Sequence, residues 1–364
     1  MANVRIMDQP ADFKNSGTEP QHVAVWEDGK RDDDRAGAFE WWYFDAVLDD
    51  GSKVVIPFNT KGNQNTQLDG AQPQVMITIT DPDGKKYTDL TKYTADEFQY
   101  SKQRCDVRIG PHHVAGDLKT YQIHVEPVNG IGADLTLTST STPWRAGNGY
   151  FDFGNDNYFT WLCVVPRGEI TGTLTYNGQT VAVTGRGYHD HQWGNIHHVM
   201  AWNNWLWARQ NFDDYAIVVF DFVARDTYGY KHMPLTFIQD ADGEIIYQNY
   251  DIKNTKYQVL SEYVQESTGK SYPKKSRYTF DDHGKKIEYE LSVKEELSIE
   301  DLYSSAPAPA KKQFDQMNIK PTYAREFATG TLTFEQGGQL VKRSGDMIYE
   351  FVYVGKEYRP MMEH

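Results

Sequence analysis

Along most of the chain, apolar and polar positions alternate with a period of two, which predicts strands rather than helices. Val75-Met76-Ile77-Thr78-Ile79-Thr80 runs into Asp81-Pro82-Asp83-Gly84, a turn in which Pro82 presets φ and Gly84 admits φ > 0. Gly172–Tyr176, the pair Asn177-Gly178 and Gln179–Thr184 predict a hairpin, because Asn-Gly suits a type I′ turn. Tyr215–Val223 reads as a longer buried strand. On a strand, Glu40, Trp42, Phe44, Ala46 and Leu48 share one face, which places Glu40 in line with apolar residues. Helical stretches are few. Ser298–Tyr303 is expected to be one, with Ser298 as N-cap and Asp301 in the capping-box position. Ser304–Ala310 is expected to be a loop, since Pro307 and Pro309 obstruct both helix and strand ladders. The fold class is all-β.

Three segments recur in one order. Trp41–Asp50 matches Trp205–Asp214, Ile79–Gly84 matches Ile238–Gly243, and Gly172–Tyr176 matches Gly330–Phe334. The repeat predicts two homologous β-domains, residues 1–195 and 196–364, each suited to a small closed barrel able to hold one ligand.

Composition narrows the function. A formal charge of −14 without a Lys/Arg cluster argues against nucleic acid and against an anionic membrane surface as partners. Aromatic residues make up 14% of the chain, too much ring surface for disorder. No apolar run approaches a transmembrane helix, and the first residues hold no apolar signal-peptide core, so a cytoplasmic location is expected. Two cysteines, Cys105 and Cys163, exclude a disulfide scaffold and CxxC zinc sites.

The chemistry concentrates where the first repeat opens and closes. Glu40 on an apolar face is expected to have a raised pKa and so to be able to donate a proton; the alternative is a structural Glu paired with Arg186 or Arg209. Gly185–Gly194 sets His189, Asp190 and His191 side by side between Tyr188 and Trp193. Histidine is the side chain most used for proton transfer near pH 7, and an adjacent carboxylate can fix its tautomer or act as the acid. His189 and His191 on one strand face, with His197 and His198 close behind, also raise the question of a metal, but no third ligand is evident, and no metal is expected. Trp205, Trp207 and Arg209 share a face and can stack on one another, line an apolar cavity or serve ordinary packing. No GxSxG elbow, P-loop or complete GxGxxG run is present, so no nucleotide cofactor is expected.

Glu40-Trp41-Trp42-Tyr43, then Gly187-Tyr188-His189-Asp190-His191-Gln192-Trp193-Gly194, then Trp205-x-Trp207 resemble the tandem lipocalin-like family of carotenoid 1,2-hydratase and the AttH-like proteins. Kievitone hydratase and the fungal decalin-forming Diels–Alderases are similar at greater distance. The resemblance spans about residues 25–355 and implies two lipocalin-like barrels, a large apolar pocket and no cofactor. Its hydratases add water to an alkene of an apolar isoprenoid, and its pericyclases fold a polyene.

The resemblance implies a hydratase-type lyase acting on an isoprenoid or polyphenol-like ligand, as a monomer or homodimer. In that reading Glu40 or Asp190 protonates the alkene, His189 or His191 orients the water, and Trp41, Trp42, Tyr43, Tyr188, Trp193, Trp205, Trp207 and Arg209 hold the substrate or its cation. A pericyclase or isomerase, and a carrier that leaves its ligand unchanged, are the rival readings. A proton donor of strongly perturbed pKa inside a barrel favours an enzyme over a carrier.

Overall fold

Alternation in Phe39–Leu48 produces a strand in which Glu40, Trp42, Phe44, Ala46 and Leu48 are buried and Val47 is exposed. The computed structural model of the protein describes residues 3–62 and 65–357. It divides into two compact units, Arg5–His197 and a second that begins at His198 and also takes in Val4. In each, one curled antiparallel sheet wraps its apolar face around a core.

The sheet of the first unit is ordered Lys86–Lys92, Gln74–Thr80, Lys53–Asn59, Phe39–Leu48, Gln179–Gly194, Asn157–Tyr176, Gly132–Ser139 and on through shorter strands to Phe98–Tyr100. The sheet of the second is ordered Ile245–Asn249, His232–Gln239, Ala216–Ala224, Trp202–Asn211, Gln339–Tyr353, Thr322–Gln336, Lys285–Asp301, Ser271–Asp282 and Thr255–Val264. The first six places correspond one to one, which is the duplication read from the repeated words. The opening strand of each repeat pairs with its last strand, and the last strand forms a hairpin with the one before it.

The two acidic turns match in detail. Asp81 Oδ1 accepts from the backbone N–H of Asp83 and Lys85, and Asp240 Oδ1 accepts from those of Asp242 and Glu244. Gly84 and Gly243 both take positive φ, +85° and +81°. Asn177 and Gly178, at +51° and +74°, form the type I′ turn that the sequence predicts.

Trp42, Phe44, Ile56, Ile77, Ile123 and Leu135 belong to the first core, and Leu206, Ile217, Ile238, Tyr278, Phe280 and Leu291 to the second. Burying one such side chain contributes about 1.5–3 kcal/mol.

Two local expectations are corrected. Ser298–Tyr303 is not a helix: Ser298, Ile299, Glu300 and Asp301 end a long strand and pair with Arg325, Ala324, Tyr323 and Thr322. An isolated helix of six residues cannot repay its nucleation, whereas a waiting strand edge supplies ladder bonds at once. Nor is residues 304–310 all loop. A helix spans Ala308–Met317, with Pro307 at its N-cap and Pro309 inside the first turn, where the missing N–H costs nothing.

Candidate active site

The pairing of Phe39–Leu48 with Gln179–Gly194 sets Glu40 opposite Trp193, Trp42 opposite His191, and Phe44 opposite His189. Opposite residues share a sheet face, so all six side chains point into the first unit. Asp190 lies opposite Tyr43 and Tyr188 opposite Asp45, on the other face.

The inward cluster is completed by a segment that precedes the sheet. A short 3-10 turn, Val25–Asp28, leads into Gly29 and Lys30, which run against Ser101–Arg104. A Cβ on Gly29 would stand 2.7 Å from the carbonyl carbon of Lys102, so only glycine passes there. This threading delivers Asp28, Lys30 and Asp32 to the interior.

Glu40 is fully buried and fully partnered. Its Oε1 accepts from the Arg31 N–H at 2.6 Å and lies 2.9 Å from His191 Nε2; its Oε2 accepts from the Asp32 N–H at 2.9 Å and lies 3.0 Å from Lys30 Nζ. Burial alone would raise its pKa. The His191 hydrogen bond and the Lys30 charge outweigh burial and hold it below the ordinary 4.5. The expected raised pKa at Glu40 is therefore corrected, and its cation is Lys30, neither Arg186 nor Arg209.

Asp28 stands on the far side of His191. Its Oδ1 is 3.3 Å from His191 Nδ1, an ion pair rather than an aligned hydrogen bond; its Oδ2 accepts from Tyr121 Oη at 2.6 Å and lies 3.2 Å from His189 Nε2. His189 Nδ1 donates to the Tyr43 carbonyl at 3.0 Å. The two imidazoles are packed on rings, His191 against Trp42 at 4.6 Å between centroids and His189 against Phe44 at 4.0 Å. Burial opposes the charged form of His191, but its carboxylate partners Asp28 and Glu40 prevail and its pKa rises. Lys30 is likewise raised against burial by Glu40 and Asp34. Lys30 and His191 thus stand among three carboxylates, Asp28, Asp34 and Glu40, and all but Asp34 are closed to solvent.

Asp32 differs from its neighbours. It is buried, its Oδ1 accepts from the Asp33 N–H at 2.6 Å, and its Oδ2 has no partner. Burial, then the negative charge of Glu40, push its pKa up to about 7. Its charge also reaches Tyr158, whose hydroxyl is raised chiefly by burial. Tyr158 and Tyr150 lie 5.4 Å apart between ring centroids, Tyr150 and Trp193 5.7 Å, and Trp193 Nε1 donates to Tyr150 Oη at 3.1 Å. Asp32, its pKa raised to about 7 and its Oδ2 unpartnered, thus lies within electrostatic reach of Tyr158, the first of these rings.

On the opposite face, Asp190 accepts from Tyr188 Oη at 2.8 Å, Trp161 Nε1 at 3.2 Å and Gln192 Nε2 at 3.3 Å. Burial raises its pKa and these donors oppose the rise. The two candidate acids, Glu40 and Asp190, therefore do not line one cavity: neighbours on a strand point to opposite faces, and Asp190 lies on the face away from His189, His191 and Glu40. Trp41, Tyr43 and Tyr188 lie on the Asp190 face, whereas Trp42 and Trp193 lie with Glu40. In the second unit, Trp205, Trp207 and Arg209 share the half-buried outer face of Trp202–Asn211, with the Arg209 guanidinium 5.7 Å from the Trp207 ring centre.

Asp28, Cys105 and His189 offer one ligand atom each within 4.8 Å of one another. The set fits a metal ion poorly. Burial pushes the Cys105 thiol well up, so it holds its proton, and Asp28 Oδ2 already serves Tyr121.

Sequence reasoning missed Asp28, Lys30, Asp32 and Tyr121. Residues 30–35, Lys-Arg-Asp-Asp-Asp-Arg, carry no apolar pattern that would mark them as interior. The one signal is indirect: a Glu on an apolar strand face must draw polar partners from somewhere.

The sequence model of the AttH-like family matches residues 27–298. The quinolone epoxide rearrangement protein asqO of Emericella nidulans is 25% identical over 203 residues, 52% of this chain; the match spans 56% of that relative's length. Among solved structures, an AttH-type protein from Nitrosomonas europaea superposes with a TM-score of 0.58 at 16% identity, over 92% of this chain and 98% of that one. Kievitone hydratase from Nectria haematococca gives 0.56 at 16%, over 97% and 98%. CghA, solved with Sch210972, gives 0.58 at 15%, over 88% and 89%. These likenesses are likenesses of fold.

Proposed function

The chain belongs to the AttH-like family, and we propose that it is an enzyme of acid catalysis on an apolar or aromatic organic substrate, a hydratase-type lyase working at a C=C bond. The observation that carries this is Asp32, a buried carboxyl whose Oδ2 has no hydrogen-bond partner and whose pKa burial and the Glu40 charge raise to about 7. Such an acid transfers its proton to an alkene carbon and becomes a carboxylate, leaving a carbocation. The rings of Tyr150, Tyr158 and Trp193 face the cation with their negative quadrupoles. Water adds to the cation, and the surplus proton returns to Asp32, so product and acid are both restored. Proton, water and aromatic faces suffice, and no step passes through a cofactor. Glu40, held by His191 and Lys30, accepts from the Asp32 N–H and supplies the negative charge that raises the Asp32 pKa against the opposing charge of Lys30.

A second reading is the opening or rearrangement of an oxygenated ring, favoured by the likeness to the epoxide rearrangement protein. It uses the same proton, delivered to oxygen instead of carbon. The test is a mass-spectrometric screen of isoprenoid, polyphenol and epoxide libraries with wild type and Asp32→Asn. Products of +18 Da from an alkene mark the first reading; products from an epoxide, isomeric at unchanged mass or +18 Da where water opens the ring, mark the second. Asp32→Asn is expected to lower turnover at least about 10²-fold, the scale of a general acid. Wild-type turnover by that variant would end the proposal.

A further inference from the structure

The second unit holds a carboxyl that resembles Asp32 in circumstance and shares no residue with it. Glu326 lies on Thr322–Gln336, whose buried positions include Ala324, Glu326 and Ala328. Small residues thus stand on either side of a fully buried glutamate on the inward face. Glu326 pairs directly with Glu296 on one neighbouring strand and with Tyr349 on the other. Tyr263 Oη lies 2.5 Å from Glu326 Oε1 and 3.1 Å from Glu296 Oε2, and Gln265 Nε2 donates to Glu296 Oε1 at 3.3 Å.

The backbone is distorted where these groups meet. The register of Lys285–Asp301 slips between Val293 and Glu295 and again between Glu296 and Ser298, on both sides of Glu296. The register of Thr255–Val264 slips twice between Val259 and Glu262, just before Tyr263. Bulges re-aim side chains, and here they turn Glu296 and Tyr263 toward Glu326. Unlike Glu40, Glu326 is not saturated: its Oε2 is buried with no hydrogen-bond partner. Aromatic rings stand around the cluster, with Tyr263 on Tyr272 at 5.8 Å and Tyr272 against Phe351 at 5.8 Å.

We propose that Glu326, with Tyr263 and Glu296, forms a second ligand site inside the C-terminal unit, taking a neutral aromatic molecule by donating a hydrogen bond from Glu326 Oε2 to its carbonyl oxygen. Burial and the Glu296 charge keep the acid protonated up to about pH 7. The charged and titratable groups around it are Glu296, Tyr263, Tyr272, Tyr349 and Lys274, with Lys270 at the nearby Thr322 hydroxyl. The tyrosines are raised by burial and stay neutral; Lys270 is lowered to about 8.

The probe is 4′-fluoroacetophenone, a small neutral aryl ketone whose fluorine NMR signal moves downfield when its carbonyl accepts a hydrogen bond. The full-length protein is expected to bind it saturably at pH 6 with a downfield shift, and to weaken as pH rises through 7. Glu326→Gln keeps a donor and is expected to bind without the pH dependence, while Glu326→Leu loses affinity about tenfold, the loss of one hydrogen bond to a buried group. Asp32→Asn keeps the Glu326-dependent signal. No saturable binding by the wild type, unchanged binding by Glu326→Leu, equal loss in Glu326→Gln, or a loss that follows Asp32 instead would each overturn the proposal.

Discussion

Glu40 and His191 meet at 2.9 Å although 151 residues separate them in the chain. Neither is left a free hydrogen-bonding position on that side, and both are closed to solvent. The pair therefore organises the interior, and Asp32 is the member of the cluster with reach to spare. Glu40→Leu leaves Lys30 and His191 charged and buried without their shared partner. Loss of one side of a buried pair costs about 3–5 kcal/mol, so the variant is expected to show a markedly lower urea midpoint than Glu40→Gln, which keeps the shape and part of the bonding. Equal midpoints for wild type and Glu40→Leu would show the network to be energetically idle.

The same pair sets a pH window. Glu40 is depressed in the folded state, so its contribution is present above the ordinary 4.5 and is lost as pH falls through its folded value. His191 is raised, so its contribution is complete below the ordinary 6.5 and is lost as pH rises through its folded value. The stability difference between wild type and His191→Asn is expected to be largest between pH 4.5 and 6.5. Chemical denaturation across pH 3–9 measures it, and a flat difference would contradict the assignment.

Turnover has its own pH dependence. With Asp32 protonated up to about pH 7, the acid-limb rate is expected to be level below that value and to fall above it. Weakening the Glu40 charge by Glu40→Gln moves the fall to lower pH, because that charge raises Asp32. A fall that stays in place in the variant would assign it to another group.

Gly29→Ala tests the threading. Its Cβ meets backbone at Lys102 rather than a side chain that can swing aside. A loss of about 1–3 kcal/mol of stability, the usual cost of overpacking, is expected, together with reduced turnover as Asp32 is displaced. Wild-type stability and rate in this variant would show that the segment tolerates a shift.

Purified protein is expected to carry no stoichiometric zinc or iron at Asp28, Cys105 and His189, and to keep its melting temperature in chelator. Elemental analysis at one ion per chain, with melting lowered by chelation, would replace the network described here with a metal centre.

The strand faces were legible because a period of two leaves no choice: once Leu48 and Phe44 are inside, so is Glu40. The duplication was legible because Asp81 and Asp240 make the same turn and need the same residues to make it. The protonation of Glu40 was not legible, since it depends on Lys30 and on two backbone N–H groups that arrive by threading past Ser101–Arg104, contacts without local signature. The fate of Ser298–Asp301 was hidden for the same reason: its capping pattern is local, and the strand that overrides it lies at Thr322–Arg325.

The separation of Glu40 from His191 also orders events on the ribosome. Lys30, Arg31, Asp32 and Glu40 are synthesised together and can meet early, but the imidazole that completes the cluster emerges only after 151 further residues. At roughly 5–20 residues per second that is a wait of about 8–30 s. During it the nascent first unit holds a glutamate lacking its imidazole partner, and the Phe39–Leu48 strand has an open edge where Gln179–Gly194 will dock. That edge is what a chaperone or a neighbouring nascent chain would meet first.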